Sequence, residues 1–476
     1  MTHKNIFWLI AVFTLIRLIV APSFGLGVDE AHYVLYGYNL DLSYVDHPPL
    51  TGWVQAAMLY LFSDSILTAR IPAITLMAIL SWQCYRFMLL INATEKQALW
   101  ATAALNSSFM FGAIGLMLLP ENFLLVLVYP IVISVLRIEQ KAKLKSYLWL
   151  GVLLGLAGLA KYTAVLLILP LLLYILLKKR YDLIINPRIL LTALVGFIMI
   201  LPVLFWNASH DWISFTYQSA HVTGSSSLDF KSFLRSTLAQ FAAFNPFLFA
   251  IAFYGLVTSF RSKSSPLILA AWIGLCLELF FIGTSFLKPV LPHWPALFYC
   301  LFIPIGTVLF MQSTPKRASI TRTIIIFSLF LSAIIHAELY AKWGHFPDYK
   351  SPFRDIYGFE IQTSTGKHLL DKMDSPKKAL AVMNWSYGSR LNYYSKPYGI
   401  KTFILDDYNR QFALWENESP LGYDLIILHS HFNDENELTQ IRCDSQKVLK
   451  KIDILLKRGK VDSIVFVECT NYQGKK

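Results

Sequence analysis

The dominant pattern along this 476-residue chain is a series of long apolar runs separated by short polar connections. A run near 20 apolar residues is long enough to cross the hydrocarbon of a bilayer. About eleven such segments are predicted, at roughly 6–21, 66–91, 97–116, 120–137, 146–160, 161–179, 188–206, 237–260, 266–286, 290–311 and 322–342, with 146–179 also readable as one broken segment. The first run is preceded by Lys4 but followed by "APSFG", which offers no small-x-small cleavage site, so it reads as an uncleaved anchor. Two further stretches, within "VDEAHYVLYGYNL" and "PPLTGWVQAAMLYLF", show near-helical spacing of aromatic and aliphatic residues and are predicted to be helices lying along the interface.

After residue 342 the pattern changes. Charge density rises, and "KKALAVMNW", "YDLIILHS" and "SIVFVECT" are short β-rich runs between turn residues and helix-like polar stretches. The predicted architecture is therefore a polytopic α-helical membrane domain over 1–342, followed by a small extracytoplasmic α/β domain over 343–476.

Composition and charge refine this picture. The chain is 55% hydrophobic and 15% charged, too apolar for a soluble protein of this length. Its net charge of +12 is mostly topogenic, because residues 1–342 hold 23 Lys+Arg against 13 Asp+Glu. With the N-terminus inside, the basic clusters at Lys141, Lys143 and Lys145, at Lys178, Lys179 and Arg180, and at Lys316, Arg317 and Arg322 all fall on the cytoplasmic side. No nucleic-acid partner is needed to explain the charge. Cys443 and Cys469 alone share the oxidising side and are a candidate disulfide pair, whereas Cys84, Cys276 and Cys300 lie in apolar runs.

The same topology places a set of ionisable groups on the outer face: Asp29, Glu30, Asp46 and His47 in the first outer loop, Glu121 in "LPEN", Lys161 in "AKYT", and Lys288 and His293 in "FLKPVLPHWP". Charges held at a membrane face are functional candidates by default. A transporter or lipid-linked-sugar flippase is the rival class, but such proteins usually place charges near the midplane on broken helices in two related halves, and no internal repeat is visible here.

Six motifs in this order, "DEAHY", "DHPPL", "LMLLPENFLL", "LAKYTAVLL", "WNASHDWISF" and "LPHWPA", resemble the polyprenyl-phosphate-sugar-dependent glycosyltransferases of the GT-C fold. The subgroup is the one with bacterial relatives of protein O-mannosyltransferases and the lipid A aminoarabinose and galacturonic acid transferases. The resemblance covers roughly residues 6–342 and extends into the tail through "NRQFALW".

The resemblance implies an inverting transfer of sugar from a polyprenyl-phosphate donor. Its acidic loop residue falls on Asp29, with Glu30 beside it, as base or acceptor-positioning carboxylate. Its "acidic, basic, Pro-Pro" element falls on Asp46, His47, Pro48 and Pro49, with His47 standing where the aminoarabinose enzymes have Lys, and its second acidic site falls on Glu121. Lys161, Lys288, His293 and His47 are the candidates for the donor phosphate. Asp29, Asp46, His47 and Glu121 are the candidate ligands should a divalent metal take part, although no obligatory metal is expected because basic residues can neutralise the phosphate instead.

The expected partners are membrane lipids, the polyprenyl-phosphate-linked sugar and a lipid acceptor, lipid A or the lipopolysaccharide core, with a protein acceptor as the alternative. The expected location is a bacterial inner membrane.

Overall fold

The structure is a computed structural model and describes residues 4–223, 228–344, 353–406, 410–416, 418–431 and 436–476. Seven of the described helices are long and apolar enough to cross a membrane: Lys4–Ser23, Ile66–Leu90, Pro120–Gln140, Arg188–Ser209, Ser265–Ser285, Ala296–Ser313 and Pro315–Ala341. The protein is a multi-pass membrane protein. The other four predicted spans take different forms. Residues 97–116 divide at Ser108 into helices Glu95–Ser107 and Phe109–Ile114. Residues 144–160 form a shorter apolar helix, as do 162–177. The predicted 237–260 span is a pair of helices, Phe230–Ala243 and Pro246–Phe260, bent by 103°. Asn245 makes that corner: it has φ +73°, and its side chain accepts from Phe247 N–H at 3.1 Å to cap the second helix.

The chain divides into two compact units. The first comprises Met1–Leu18, Asp41–Val54 and Arg70–Ile335. Its helices pack closely through small residues: a Cβ on Gly306 would stand 2.1 Å from the Ile251 carbonyl, so helices Pro246–Phe260 and Ala296–Ser313 require glycine where they cross. Arg17, buried in the first span, donates to Asn106 Oδ1 at 2.9 Å, which gives that intramembrane charge a polar partner.

The second unit comprises Ile19–Leu40, Gln55–Ala69 and His336–Lys476. It contains a five-stranded sheet in the order β2-β1-β3-β6-β5, where β1 is Lys378–Val382, β2 Thr402–Ile404, β3 Asp424–Ser430, β5 Ser445–Leu455 and β6 Lys460–Thr470, while β4, Ile441–Arg442, pairs with β7, Gly474–Lys475, in a separate two-stranded sheet. Strand β1 runs parallel to β2 and β3, whereas β6 is antiparallel to both β3 and β5. Parallel neighbours need crossovers, and helix Trp385–Ser395 supplies the one between β1 and β2. The alternation of buried Ala379, Ala381, Leu425, Ile427 and Val467 fills one side of the sheet. Cys443 and Cys469 are bridged by a disulfide.

Both predicted first-loop helices are present, as Val28–Tyr38 and Leu50–Leu61.

Candidate functional site

The core of the candidate site follows from one helical hairpin. Helix Pro120–Gln140 begins with Pro at its first position, Glu121 in its first turn and Asn122 accepting from Leu119 N–H at 2.8 Å. This combination starts a helix efficiently and places a carboxylate at the positive end of its dipole. A connection at 141–143 reverses the chain, and helix Leu144–Ala160 returns to the same end and stops at Lys161, which is extended at φ −154° and ψ 138°. A cation at a helix C-terminus is favourable for the same electrostatic reason. The hairpin therefore delivers Glu121 and Lys161 to one place, and the Lys161 ammonium donates to Glu121 Oε1.

His293, from the loop before helix Ala296–Ser313, places Nε2 3.6 Å from the same Glu121 oxygen. Trp294 next to it lies under the Lys161 ammonium, 5.9 Å from nitrogen to ring centroid. His47 also acts electrostatically on Glu121, and its own Nε2 is 4.0 Å from Asp46 Oδ2. Glu121 and Lys161 are only 4% and 7% exposed, so the pair operates at low dielectric, where each charge is strongly felt. Beside them is a cavity whose polar end is Glu121, Lys161 and Thr163 and whose remaining wall is Leu124, Leu125, Ala164, Leu167, Leu277, Phe281, Trp294 and Leu297.

The loop carrying Asp46 and His47 is held by the "WNASHDWISF" segment and by helix Ile213–Thr223, which continues it. Gln218 Nε2 donates to the Asp46 carbonyl at 2.7 Å, Ser214 Oγ donates to the Tyr44 carbonyl at 3.0 Å, and Trp206 Nε1 donates to Asp41 Oδ2 at 2.7 Å. Tyr162, adjacent to Lys161, places its hydroxyl 3.2 Å from Ser43 Oγ and accepts from Asn207 Nδ2 at 3.5 Å. His210 closes the turn, with Nδ1 2.8 Å from the Trp206 carbonyl.

The structure thus gathers Glu121, Lys161, His293 and His47, with Asp46 beside His47. Lys288 follows helix Ser265–Ser285, half-buried, and its ammonium makes no ion pair among the described residues. Burial holds its pKa below the usual lysine value. Asp29 and Glu30 belong to the second unit, in the first turn of helix Val28–Tyr38. Glu30 is buried and its Oε2 accepts from Gly27 N–H at 2.9 Å, fixing the start of that helix.

Sequence reasoning did not single out Asp41, Trp206 or Trp294. Asp41 carries the strongest missed signal, as a loop carboxylate five residues before Asp46. Among the described residues no three His, Cys, Asp or Glu side chains are grouped so as to hold a metal ion, and the Glu121 carboxylate is engaged by Lys161.

The whole-chain comparison agrees with this architecture. The structure of ArnT from Cupriavidus metallidurans bound to undecaprenyl phosphate superimposes with a TM-score of 0.64, covering 98% of each chain at 13% identity. The chain has the fold of that ArnT structure. Residues 46–206, which carry Asp46, His47, Glu121 and Lys161 on this fold, match the family model of dolichyl-phosphate-mannose-protein mannosyltransferase. The chain is 25% identical over 305 residues to lipid A galacturonosyltransferase RgtD of Rhizobium johnstonii, an alignment taking in 62% of this chain and 63% of that protein. It is also 25% identical over 128 residues to undecaprenyl phosphate-alpha-4-amino-4-deoxy-L-arabinose arabinosyl transferase 1 of Proteus mirabilis, covering 26% of this chain and 23% of that one. The chain therefore spans less than two thirds of the length of both curated relatives.

Proposed function

We propose that this protein is an inverting glycosyltransferase that moves a sugar from a polyprenyl-phosphate donor to a lipid acceptor, lipid A or the lipopolysaccharide core, at the outer face of a bacterial inner membrane. The observation that carries the reading is the cavity with an apolar wall and a polar end that holds the Lys161–Glu121 ion pair. A polyprenyl phosphate has the same polarity, an apolar tail ending in an anion, so Lys161 faces the phosphate while the leucines and Phe281 line the tail. The relatives named for lipid A and undecaprenyl phosphate, and the ArnT structure holding that lipid, support the same donor and acceptor classes.

In the proposed reaction an acceptor oxygen forms a bond to the anomeric carbon as the bond from that carbon to the phosphate oxygen breaks, inverting the centre. The electron pair leaves with the phosphate. Lys161, His293, His47 and Lys288 stabilise the charge that accumulates there, and such electrostatic help is commonly the largest catalytic contribution. Glu121 orients Lys161 and His293, and Asp46 serves His47 in the same way. Asp29 positions the acceptor oxygen and takes its proton where that oxygen is a hydroxyl; a phosphate acceptor brings no proton to remove, and positioning is then its whole task. Glu30 holds the turn on which Asp29 sits. The N-terminus is assigned to the cytoplasm, and residues 343–476 to an extracytoplasmic domain.

A protein acceptor is the second reading, favoured by the match of residues 46–206 to the mannosyltransferase family model. The two are separated by incubating the purified protein with a polyprenyl-phosphate-linked sugar, radiolabelled in the sugar, and either lipid A or Ser/Thr peptides. Label in lipid A supports the first reading and label in peptide alone the second. A donor left intact in both reactions rejects a transferase.

A further inference from the structure

Two motifs of the chain, "DEAHY" near its start and "NRQFALW" near its end, meet in the second unit, and their meeting gives the tail a task. The backbone leading into helix Val28–Tyr38 is tied down first. Gly25 N–H donates to the Ile356 carbonyl at 2.8 Å, and a Cβ at Gly25 would stand 2.6 Å from that oxygen, so the approach requires glycine. Leu26 N–H then donates to the Tyr394 hydroxyl at 3.0 Å.

Three residues beyond Asp29, His32 is buried, with Nδ1 3.2 Å from Ser389 Oγ across 357 residues of sequence. The Ser389 Oγ also lies 3.0 Å from the Trp385 carbonyl, so one hydroxyl joins the imidazole to the start of helix Trp385–Ser395. The imidazole is enclosed by rings: its centroid lies 4.9 Å from Tyr36, 5.5 Å from Trp385, 5.4 Å from Phe412 and 5.8 Å from Trp415. Phe412 and Trp415 come from "NRQFALW" and lie three apart on helix Arg410–Trp415, hence on one face. A polar ring seated among four aromatic rings with a directed hydrogen bond has one orientation. Because Asp29 and His32 share one rigid helix, the socket fixes the carboxylate as well.

We propose that the His32 socket is a positioning device, through which the α/β region holds the acidic helix so that Asp29 stands where the acceptor oxygen requires it. The proposal rests on the reading of Asp29 as the acceptor-positioning carboxylate. His32, Ser389, Phe412 and Trp415 are positioning residues, acting through the helix. Misplacing a reacting group by about 1 Å costs on the order of 100-fold in rate, so a loosened socket is visible in turnover before it is visible in folding.

The test uses the full-length protein in nanodiscs, as wild type and as Ser389→Ala, Trp415→Ala, Trp415→Phe and Asp29→Asn. Three quantities are read: amide hydrogen exchange of residues 28–38, binding of undecaprenyl phosphate by tryptophan fluorescence, and the sugar-modified fraction of lipid A in cells that carry only the variant gene. Ser389→Ala and Trp415→Ala are expected to speed exchange in residues 28–38 by about tenfold or more, leave exchange in the strands and undecaprenyl phosphate binding unchanged, and cut lipid A modification by about tenfold. Trp415→Phe, which keeps a ring in the socket, is expected to stay close to wild type.

Unchanged exchange in residues 28–38, or faster exchange with undiminished modification, overturns the proposal. So does faster exchange spread equally through the strands, which marks general destabilisation. If Asp29→Asn modifies lipid A normally, or if the wild type leaves lipid A unmodified, the functional reading of Asp29 or of the acceptor fails. Exchange in residues 28–38 then decides by itself whether the socket fixes the helix.

Discussion

Lys161 and Glu121, 40 residues apart, form a buried ion pair because the two helices that end in them are antiparallel neighbours. The pair is both a structural and a chemical object. Removing one partner leaves the other charge buried alone, which typically costs about 3–5 kcal/mol. Lys161→Met and Glu121→Gln are each expected to lower the thermal midpoint of the protein in detergent, and the double variant to be less destabilised than the two single effects combined. Lys161→Met is also expected to weaken undecaprenyl phosphate binding by roughly 10- to 100-fold, the loss of one charge-assisted hydrogen bond. Titration by tryptophan fluorescence measures this, and unaltered affinity would remove Lys161 from the phosphate site.

Asp29→Asn replaces a carboxylate by an isosteric amide in the first turn of helix Val28–Tyr38. Folding and donor binding are expected to persist while transfer falls by two or more orders of magnitude, since only an interaction made in the transition state is lost. Turnover of the purified variant is the measurement. A rate near that of wild type would show that the acceptor is directed by another group.

Much of this was legible in the sequence, and the exceptions have physical causes. Apolar runs mark spans well when they are continuous, as in 120–140 and 188–209. Residues 97–116 break because Asn106, Ser107 and Ser108 interrupt the run, and Asn106 turns inward to meet Arg17. Lys161 was visible as an interruption in 146–179, but its pairing with Glu121 depends on two helices being antiparallel neighbours. The attachment of the Asp29 helix to Ser389 and Tyr394 leaves no local trace, because its hydrogen bonds join positions more than 300 apart in sequence.

The sheet region carries its own pH dependence. Asp462, on β6, accepts from Ser430 Oγ at 2.8 Å and lies 2.7 Å from His431 Nδ1. Burial raises its pKa above the usual aspartate value, against the opposing effect of those hydrogen bonds and of His431. A carboxyl raised in the folded state binds its proton more tightly there than in the unfolded chain. Its stabilising contribution is therefore present at low pH and lost as pH rises through the folded value. The thermal midpoint of wild type minus that of Asp462→Asn is expected to increase as pH is lowered from 7 to 4, followed by near-ultraviolet circular dichroism. A difference that is flat or falls would contradict this.

The Cys443–Cys469 bridge closes a segment with a sequence separation of 26, joining the turn before β5 to the end of β6. Closing a loop of that length stabilises by about 3.5 kcal/mol on the chain-entropy account. The Cys443→Ser/Cys469→Ser protein, or wild type under reductant, is expected to lose protection from amide exchange across β5 and β6 first. Equal protection in both redox states would show that the bridge contributes little.

The central claim, transfer of a lipid-linked sugar to a lipid acceptor, is tested most directly by mass spectrometry of lipid A and of periplasmic proteins from cells with and without the gene. The account predicts a sugar-sized mass missing from lipid A or the lipopolysaccharide core in the deletion strain and restored by the wild-type gene but not by Asp29→Asn. Unchanged lipopolysaccharide with hexose missing from periplasmic peptides would contradict it.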